Sequence, residues 1–319
     1  GKVENSTDDI VNKDAKGVMT FGGIAKQLGL SKNLTVDYLN VQADHTLFER
    51  FDNFNNKYNP MAQPMLRTLM LKTDNFLSGR YFAEIANEVF EEYAKDQYTY
   101  AENRLSVYGI KLTEWDSLAE WFDTHGMGNK HNKWIVQVPR VYKVFRSMNT
   151  INSFGQYIEN IFKPLWEVSL APHKNPRLHN FLMHVSGFDS VDNEATIDLP
   201  FVTSPPWQWT AVENPPYNYY MYHLWANIRT LNEFRASQGL STFCLRPHCG
   251  ESGSDDHLVG AFLTADAINH GINLMHDPTL EYIFYLTQIG CAVSPLSNNA
   301  LFLHYLKNPF PGMFRRGLN

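Results

Sequence analysis

The run LSTFCLRPHCGE (residues 240–251) passes from an apolar, strand-like stretch into a polar loop. DDHLVGAFLTADAI (255–268) follows at helical spacing, with Leu258, Phe262 and Ala265 on one face. The alternation then repeats. NHGINL (269–274) reads as a short strand or turn, LEYIFYLTQIG (280–290) as a helix, CAVSPLSNN (291–299) as strand then loop, and ALFLHYLKN (300–308) as a helix before PFPGMFRRGLN. Strand and helix joined by short links is the βα pattern of a parallel sheet or barrel.

Working upstream, YNYYMYHLWANIRTLNEFRASQG (217–239) is an aromatic helix closed by Gly239. Its aromatic residues read as core rather than as a stacking platform. Residues 195–216 carry Pro200, Pro205, Pro206, Pro215 and Pro216 and form a long loop, beyond which the βα rhythm continues. FLMHVSGFDSVDNE (181–194) predicts a strand running into an acidic turn, and SFGQYIENIFKPLWEVSL (153–170) a helix. KWIVQVPR (133–140) suits a buried strand. TEWDSLAEWF (113–122) predicts a helix opened by a Thr113/Asp116 capping box. ENRLSVYG (102–109) has a strand pattern, and residues 65–96 carry helical periodicity with Phe82, Ile85, Val89 and Tyr93 on one face. GGIAKQLGLS (22–31) reads as a short helix, DNFNNKYNP (52–60) as a solvated turn on its face, and residues 1–17 as a loose polar lead-in.

The chain of 319 residues is 44% hydrophobic and 19% charged, which provides for a large core and excludes disorder by composition. A formal net charge of -6 with scattered basic residues speaks against nucleic-acid binding. The three cysteines, Cys244, Cys249 and Cys291, form neither a disulfide framework nor a C-x-x-C zinc pair and suit a reducing, cytoplasmic setting. No apolar stretch reaches membrane-spanning length, and the polar N-terminus does not read as a signal peptide.

Three predicted strands end in chemically capable groups: His248 and Glu251; Asn269 and His270; and Ser294, Ser297, Asn298 and Asn299. In βα barrels the chemistry sits at such carboxyl ends. Taken singly, each has a plainer reading. With 12 His and 33 acids, an H-x-x-[DE] pair is expected about once by chance. His248 alone also suits a hydrogen-bonded loop, His270 beside Gly271 a turn, and SPLSNN a helix entry. His125 and His131 read as loop residues.

Together, LRPHCGESG (245–253), NHGINL and SPLSNN resemble, in order and spacing, the AMP deaminases of the adenosine/AMP deaminase superfamily. RFDNFNNKYNP (50–60), LKTDN (71–75), RLSVYG (104–109), VQVPR (136–140), GFDSVDNE (187–194) and NPPYNYY (214–220) extend the resemblance over nearly the whole chain. It implies a metal-dependent TIM-type (β/α)8 barrel that hydrolyses AMP to IMP and ammonia by a zinc-bound hydroxide. It implies His248 as a zinc ligand, Glu251 as the acid that protonates purine N1, and His270 as the base or electrostatic partner beside the attacking water. The loop Asn53, Phe54, Asn55, Asn56, Lys57 and Tyr58 would hold substrate, with Lys57 and Tyr58 near the phosphate. The chemistry suits these types: zinc brings the pKa of water to about 7, and the ring accepts hydroxide only when N1 is protonated. The glycines flanking Glu251 would let the purine approach the backbone. The family also implies a homo-oligomer and nucleotide or phosphate effectors.

Two departures stand out. The family's H-x-H and S-T-D-D-P ligand motifs are absent from these 319 residues. The expectation is therefore the central part of one catalytic barrel domain lacking its first and last strands, holding one of the ligands to a single zinc ion, and inactive alone. Asn53 stands where the family usually has lysine, and Asn193 where it has aspartate. Asn53 and the missing ligands motivate one alternative, a non-catalytic nucleotide-binding or scaffolding relative; a deaminase of free adenosine is a second.

Overall fold

The computed structural model describes residues 70–75, 77–200 and 203–318, together with Gly29, Ser31, Asn33 and Thr68. The polar lead-in, the whole Asn53–Tyr58 loop and, apart from Gly29 and Ser31, the helix expected at 22–31 lie outside the described residues.

Parallel strands appear in the order in which the chain supplies them. β1 (Ala101–Ser106), β2 (Asn132–Gln137), β3 (Val185–Asp189) and β4 (Cys244–Leu245) form one parallel sheet in that order. β5 (His248–Cys249), β6 (Ala267–His270) and β7 (Gly290–Ala292) form a second. The two are stitched by one extended run. Arg246 N donates to Phe188 O and His248 N to Ser190 O, while Asn269 N donates to Pro247 O and Gly271 N to Cys249 O. Arg246 and Pro247, the latter without an N–H, lie between β4 and β5 on this run. The result is a continuous α/β wall with its strands running one way.

Helices fill the crossovers, as parallel connections require. They are α1 (Arg80–Lys95), α2 (Glu114–Thr124), α3 (Tyr142–Ser147), α4 (Phe154–Leu170), α5 (Pro176–Met183), α6 (Tyr217–Ser237), α7 (Asp256–Thr264), α8 (Pro278–Thr287), α9 (Pro295–Leu301) and α10 (Phe310–Arg316). Capping fixes several starts: Ser153 accepts from Gln156 N, Asn175 from Leu178 N, and Asp277 from Thr279 and Leu280 N. The buried residues Tyr217, Tyr220, Met221, Leu224, Ile228, Leu231 and Arg235 follow one face of α6 and Tyr219 is buried beside it, so this helix is core as its pattern implied. Between wall and helices, Phe188 packs against Trp115, Phe162 and Phe243 at ring-centroid distances of 5.5–6.2 Å.

Several sequence expectations are corrected. The periodicity over 65–96 is broken rather than continuous: Thr68, Met70 and Leu71 are helical, Ser78 and Gly79 turn with positive φ, and a helix resumes at Arg80. Its buried residues are Tyr81, Ala83 and Phe90, whereas Ile85 is exposed. The Thr113/Asp116 capping box does not form. Instead the Glu114 carboxylate accepts from the N–H groups of Tyr108, Gly109 and Ile110, which ties the β1 loop to α2. The helix expected over 255–268 stops at Thr264, and β6 takes Ala267–His270. The final helix is Phe310–Arg316 rather than 300–308, because Pro309 and Pro311 suit a helix start. Residues 203–216 are irregular apart from a short turn at Pro206–Gln208.

β3 and β4 approach closely only because residue 187 has no side chain: a Cβ there would lie 2.3 Å from Cys244 O. Gly187→Ala is expected to cost about 2 kcal/mol or more of stability through backbone displacement. Gly290→Ala in β7, where a Cβ would meet ordinary contact at 3.5 Å, is the matched control and is expected to stay within about 0.5 kcal/mol. Denaturant unfolding of the two variants checks this.

Candidate active site

At the carboxyl ends of β3, β5 and β6 the chain changes from apolar to polar, and the side chains converge. Asp189, the last residue of β3, is fully buried. Its Oδ1 accepts from the His248 backbone N–H at 3.0 Å and from His248 Nδ1 at 2.9 Å. Its Oδ2 accepts from Arg104 Nε of β1 at 2.9 Å and from Gln137 Nε2 of β2 at 3.0 Å. Asn269 of β6 donates to Oδ1 at 3.2 Å and receives a bond from Arg104 Nη2 at 2.8 Å. One carboxylate thus joins five strands of the wall. Burial alone would raise its pKa, but the His248 and Arg104 charges and the donated hydrogen bonds hold it below the usual carboxylate range.

His248 presents its other nitrogen, Nε2, away from this clamp. Burial alone would lower its pKa, but the Asp189 carboxylate, its hydrogen bond and nearby Glu251 outweigh burial and raise it. The ring centroids of His248 and His270 are 5.0 Å apart. His270 Nε2 lies 3.3 Å from Glu251 Oε1, and Asn298 Nδ2 donates to His270 Nδ1 at 2.9 Å. With Nδ1 an acceptor, Nε2 carries the proton and donates to Glu251. Burial and the neighbouring His248 push the His270 pKa down to about 3, so this ring is neutral at pH 7. Burial pushes the Glu251 carboxyl up to about 8, with Glu194 and Asp189 adding to the shift and His248 opposing it. A neutral, proton-bearing carboxylic acid at neutral pH is the consequence. His270 has a φ of 74°, a conformation that β-strand residues avoid, and it is this backbone that turns the ring into the cluster.

The two glycines around Glu251 serve the loop itself. Gly250 has a φ of 67°, and a Cβ there would lie 2.8 Å from Leu258. A Cβ on Gly253 would lie 1.9 Å from Glu194 O. Close packing of the loop therefore requires both glycines. Beside the loop sits a buried ionic row. Arg140 pairs with Asp192 at 3.1 Å and Asp198 at 2.6 Å, and His257 Nε2 lies 3.1 Å from Asp198 Oδ2. Burial opposes the His257 charge, but Asp198 and Glu194 overcome that and raise its pKa to about 9.

The structure thus brings His248, Glu251 and His270 together, as the sequence indicated. From SPLSNN it brings in the fully buried Asn298. Asn53, Phe54, Asn55, Asn56, Lys57 and Tyr58 lie outside the described residues. Sequence reasoning missed Asp189, Arg104, Gln137, Glu194 and His257. The first three sit on strands whose runs had been singled out, and Asp189 was signalled by an acid closing the apolar stretch 181–189. The Asn193 departure is locally neutral: its Oδ1 accepts from Ala195 N at 3.1 Å, a turn that Asp also makes. His125 and His131 are loop residues that bond the backbone of Ser78 and Thr99.

Among the described residues no group of three or more His, Cys, Asp and Glu is arranged to hold a metal ion. His248 fits the part of one ligand: ligating imidazoles generally donate their second N–H to a carboxylate, as Nδ1 does here to Asp189. No helix among the described residues is long and apolar enough to cross a membrane.

This is an α/β protein whose polar centre lies at the carboxyl ends of parallel strands. The family model described as AMP deaminase matches residues 1–319, and the chain belongs to that family. It is 48% identical over 319 residues to an AMP deaminase of Dictyostelium discoideum, with 99% of this chain and 40% of the relative covered. It is 50% identical over 290 residues to human AMP deaminase 3, with 90% and 38% covered. The chain therefore spans about 40% of the length of these curated relatives. Among solved structures, adenine deaminase from Arthrobacter aurescens has a similar fold, with a TM-score of 0.51, 16% identity, and 93% of this chain and 74% of that one covered. Arabidopsis ADAL complexed with GMP also has a TM-score of 0.51, with 12% identity and 92% and 72% covered.

The ionic row gives a pH dependence. Because the folded pKa of His257 is raised, its stabilisation is complete below about pH 6.5 and is lost as pH rises through about 9. Asp198 has the opposite sign. Hydrogen bonds from His257 and Tyr217 N and the Arg140 charge outweigh burial and hold it down to about 2, so its contribution is present above about pH 4 and fades as pH falls toward 2. The thermal midpoint of the full-length protein is expected to fall between pH 7 and 9.5, and His257→Gln is expected to flatten that fall.

Proposed function

We propose that the protein to which this chain belongs hydrolyses AMP to IMP and ammonia, using one zinc ion. The observation that carries this reading is the Glu251–His270 pair beside the Asp189-clamped His248, in a chain of the AMP deaminase family. The wall is then part of a TIM-type (β/α)8 barrel, and residues 1–319 form a central part of one catalytic domain. Its support is the strand order, the helical crossovers and the polar groups at the strand ends.

In this reading His248 is one zinc ligand through Nε2. When bound, the ion supplies a nucleophile at neutral pH by lowering the pKa of water to about 7. Glu251, protonated because it is buried, gives its proton to ring nitrogen N1 as water adds at C6. The bond from His270 Nε2 to Oε1 leaves Oε2 as the proton-bearing oxygen. His270 acts as a neutral electrostatic partner, with Asn298 fixing its tautomer. The C6–N bond then breaks and ammonia leaves, so that AMP and water balance with IMP and ammonia. Lys57 and Tyr58, with Asn53, Phe54, Asn55 and Asn56, form the substrate loop, where a point charge and a hydroxyl suit a 5′-phosphate. Zinc in catalytic sites takes three or more protein ligands, and the H-x-H and S-T-D-D-P motifs are absent from these residues, so the 319-residue stretch by itself is expected to be inactive. The setting is cytoplasmic and homo-oligomeric, with nucleotides or phosphate as effectors; this part rests on family membership alone.

Ammonia release from AMP and adenosine by the zinc-loaded full-length protein tests the reading. Turnover of AMP over adenosine is expected, and Glu251→Gln is expected to lower kcat by about 10³-fold, the scale of one lost proton donor. Binding of AMP without turnover would instead establish the scaffolding relative, and a preference for adenosine would remove the phosphate role of Lys57.

A further inference from the structure

The loop that carries Glu251 is held by a second carboxylate, Glu194, which is itself assigned no contact with substrate. Glu194 is buried, and its Oε2 accepts from Gly250 N at 2.7 Å while Oε1 accepts from Glu251 N at 3.3 Å. Its own carbonyl oxygen is the atom that leaves no room for a Cβ at Gly253. On the other side, Asn273 N donates to Gly250 O at 2.8 Å and Asn273 Nδ2 to Gly253 O at 3.2 Å. The loop 250–253 is thereby gripped from the segment after β3 and from the turn after β6.

Glu194 is itself held. His257 Nδ1, a buried atom without a hydrogen-bond partner, lies 3.5 Å from Glu194 Oε2, within ion-pair reach. The same imidazole is fixed from behind by Asp198, which Arg140 holds, and its ring stacks on Tyr217 at 4.1 Å with an interplanar angle of 14°. Tyr217 closes the circuit by donating from its hydroxyl to His248 O at 2.9 Å. A carboxylate is the side chain suited to this place, because it offers two acceptor oxygens to two consecutive N–H groups. An amide offers one acceptor and turns an NH₂ toward the other donor.

We infer that Glu194 is a positioning residue for the proton donor: it sets the backbone from which Glu251 reaches substrate, and His257 holds Glu194 in that register. The inference rests on the reading of Glu251 as the acid. Glu194 also contributes negative charge that favours the neutral form of Glu251. The inferred effect on turnover runs through Glu251, and this separates positioning from general structural support.

The test is a double-mutant cycle on the zinc-loaded full-length protein, with AMP as substrate. Glu194→Gln is expected to lower kcat by about 10- to 100-fold, the scale of a small misplacement of a reacting group, with KM within about threefold. In a Glu251→Gln background the same change is expected to lower kcat by no more than about threefold, because the residue it positions is already gone. A Glu194→Gln enzyme with near wild-type kcat, or one whose loss multiplies fully onto that of Glu251→Gln, overturns the inference. If Glu194→Gln does not fold, His257→Gln is read in the same cycle. A loss of about tenfold that vanishes in the Glu251→Gln background supports the inference, and an additive loss overturns it. Wild-type kcat in Glu251→Gln alone would instead remove the acid role itself, and the inference with it.

Discussion

A single buried carboxylate organises the wall. Asp189 has no contact with water, yet it receives hydrogen bonds from Arg104, Gln137, Asn269 and both the backbone and the ring of His248. Each donor comes from a different strand except the two from His248, so the register of the strands and the geometry of the polar cluster are one problem. Removing a charge of this kind from water is costly unless every lone pair is used. The donors around Asp189 meet that requirement, and they do so only when β1, β2, β3, β5 and β6 stand in the observed order. The ionic centre then specifies the arrangement, while the apolar core, in which Phe188 packs on Trp115, Phe162 and Phe243, supplies apolar burial.

Two neighbouring environments give the titratable groups their different states. Near Asp189 the field is negative and well hydrogen-bonded, and His248 is pushed toward the cation. A few ångströms away the same burial finds no such partner, so Glu251 is held neutral up to about 8 and His270 down to about 3. A proton-bearing acid beside a neutral imidazole suits the proposed addition of water to a purine ring, and here it follows from burial and neighbouring charges. The strained backbone at His270 fits the same picture, since a φ of 74° is retained only where surrounding contacts determine it.

How much of this was legible in the sequence depended on the range of the interaction. The βα rhythm of residues 240–299 could be read because hydrophobic spacing is local, and the strand ends at His248 and His270 followed from it. Helix boundaries were less accessible. Thr113 and Asp116 have the spacing of a capping box, but Glu114 reaches the backbone after β1 and takes over that end of the helix. Of the expected face of α1, Phe82 and Tyr93 pack against the core while Ile85 is exposed, because helical spacing alone does not reveal how far round the helix the wall reaches. Asp189, Glu194 and His257 were hidden for a deeper reason: their roles depend on partners about 50 to 85 residues away. No local pattern records that Arg104 lies beside Asp189, or that two glycines are required by the carbonyl of residue 194 and the side chain of Leu258.

The measurement that bears most directly on this picture is zinc affinity of the full-length protein carrying Asp189→Asn, determined by competition with a chelator alongside the unaltered protein. An amide at 189 keeps the volume but loses the charge that fixes the His248 ring. The expected result is zinc binding weakened by about 10- to 100-fold in a protein that remains folded. Unchanged zinc affinity would contradict the account, because His248 would then be held for its role by something other than Asp189.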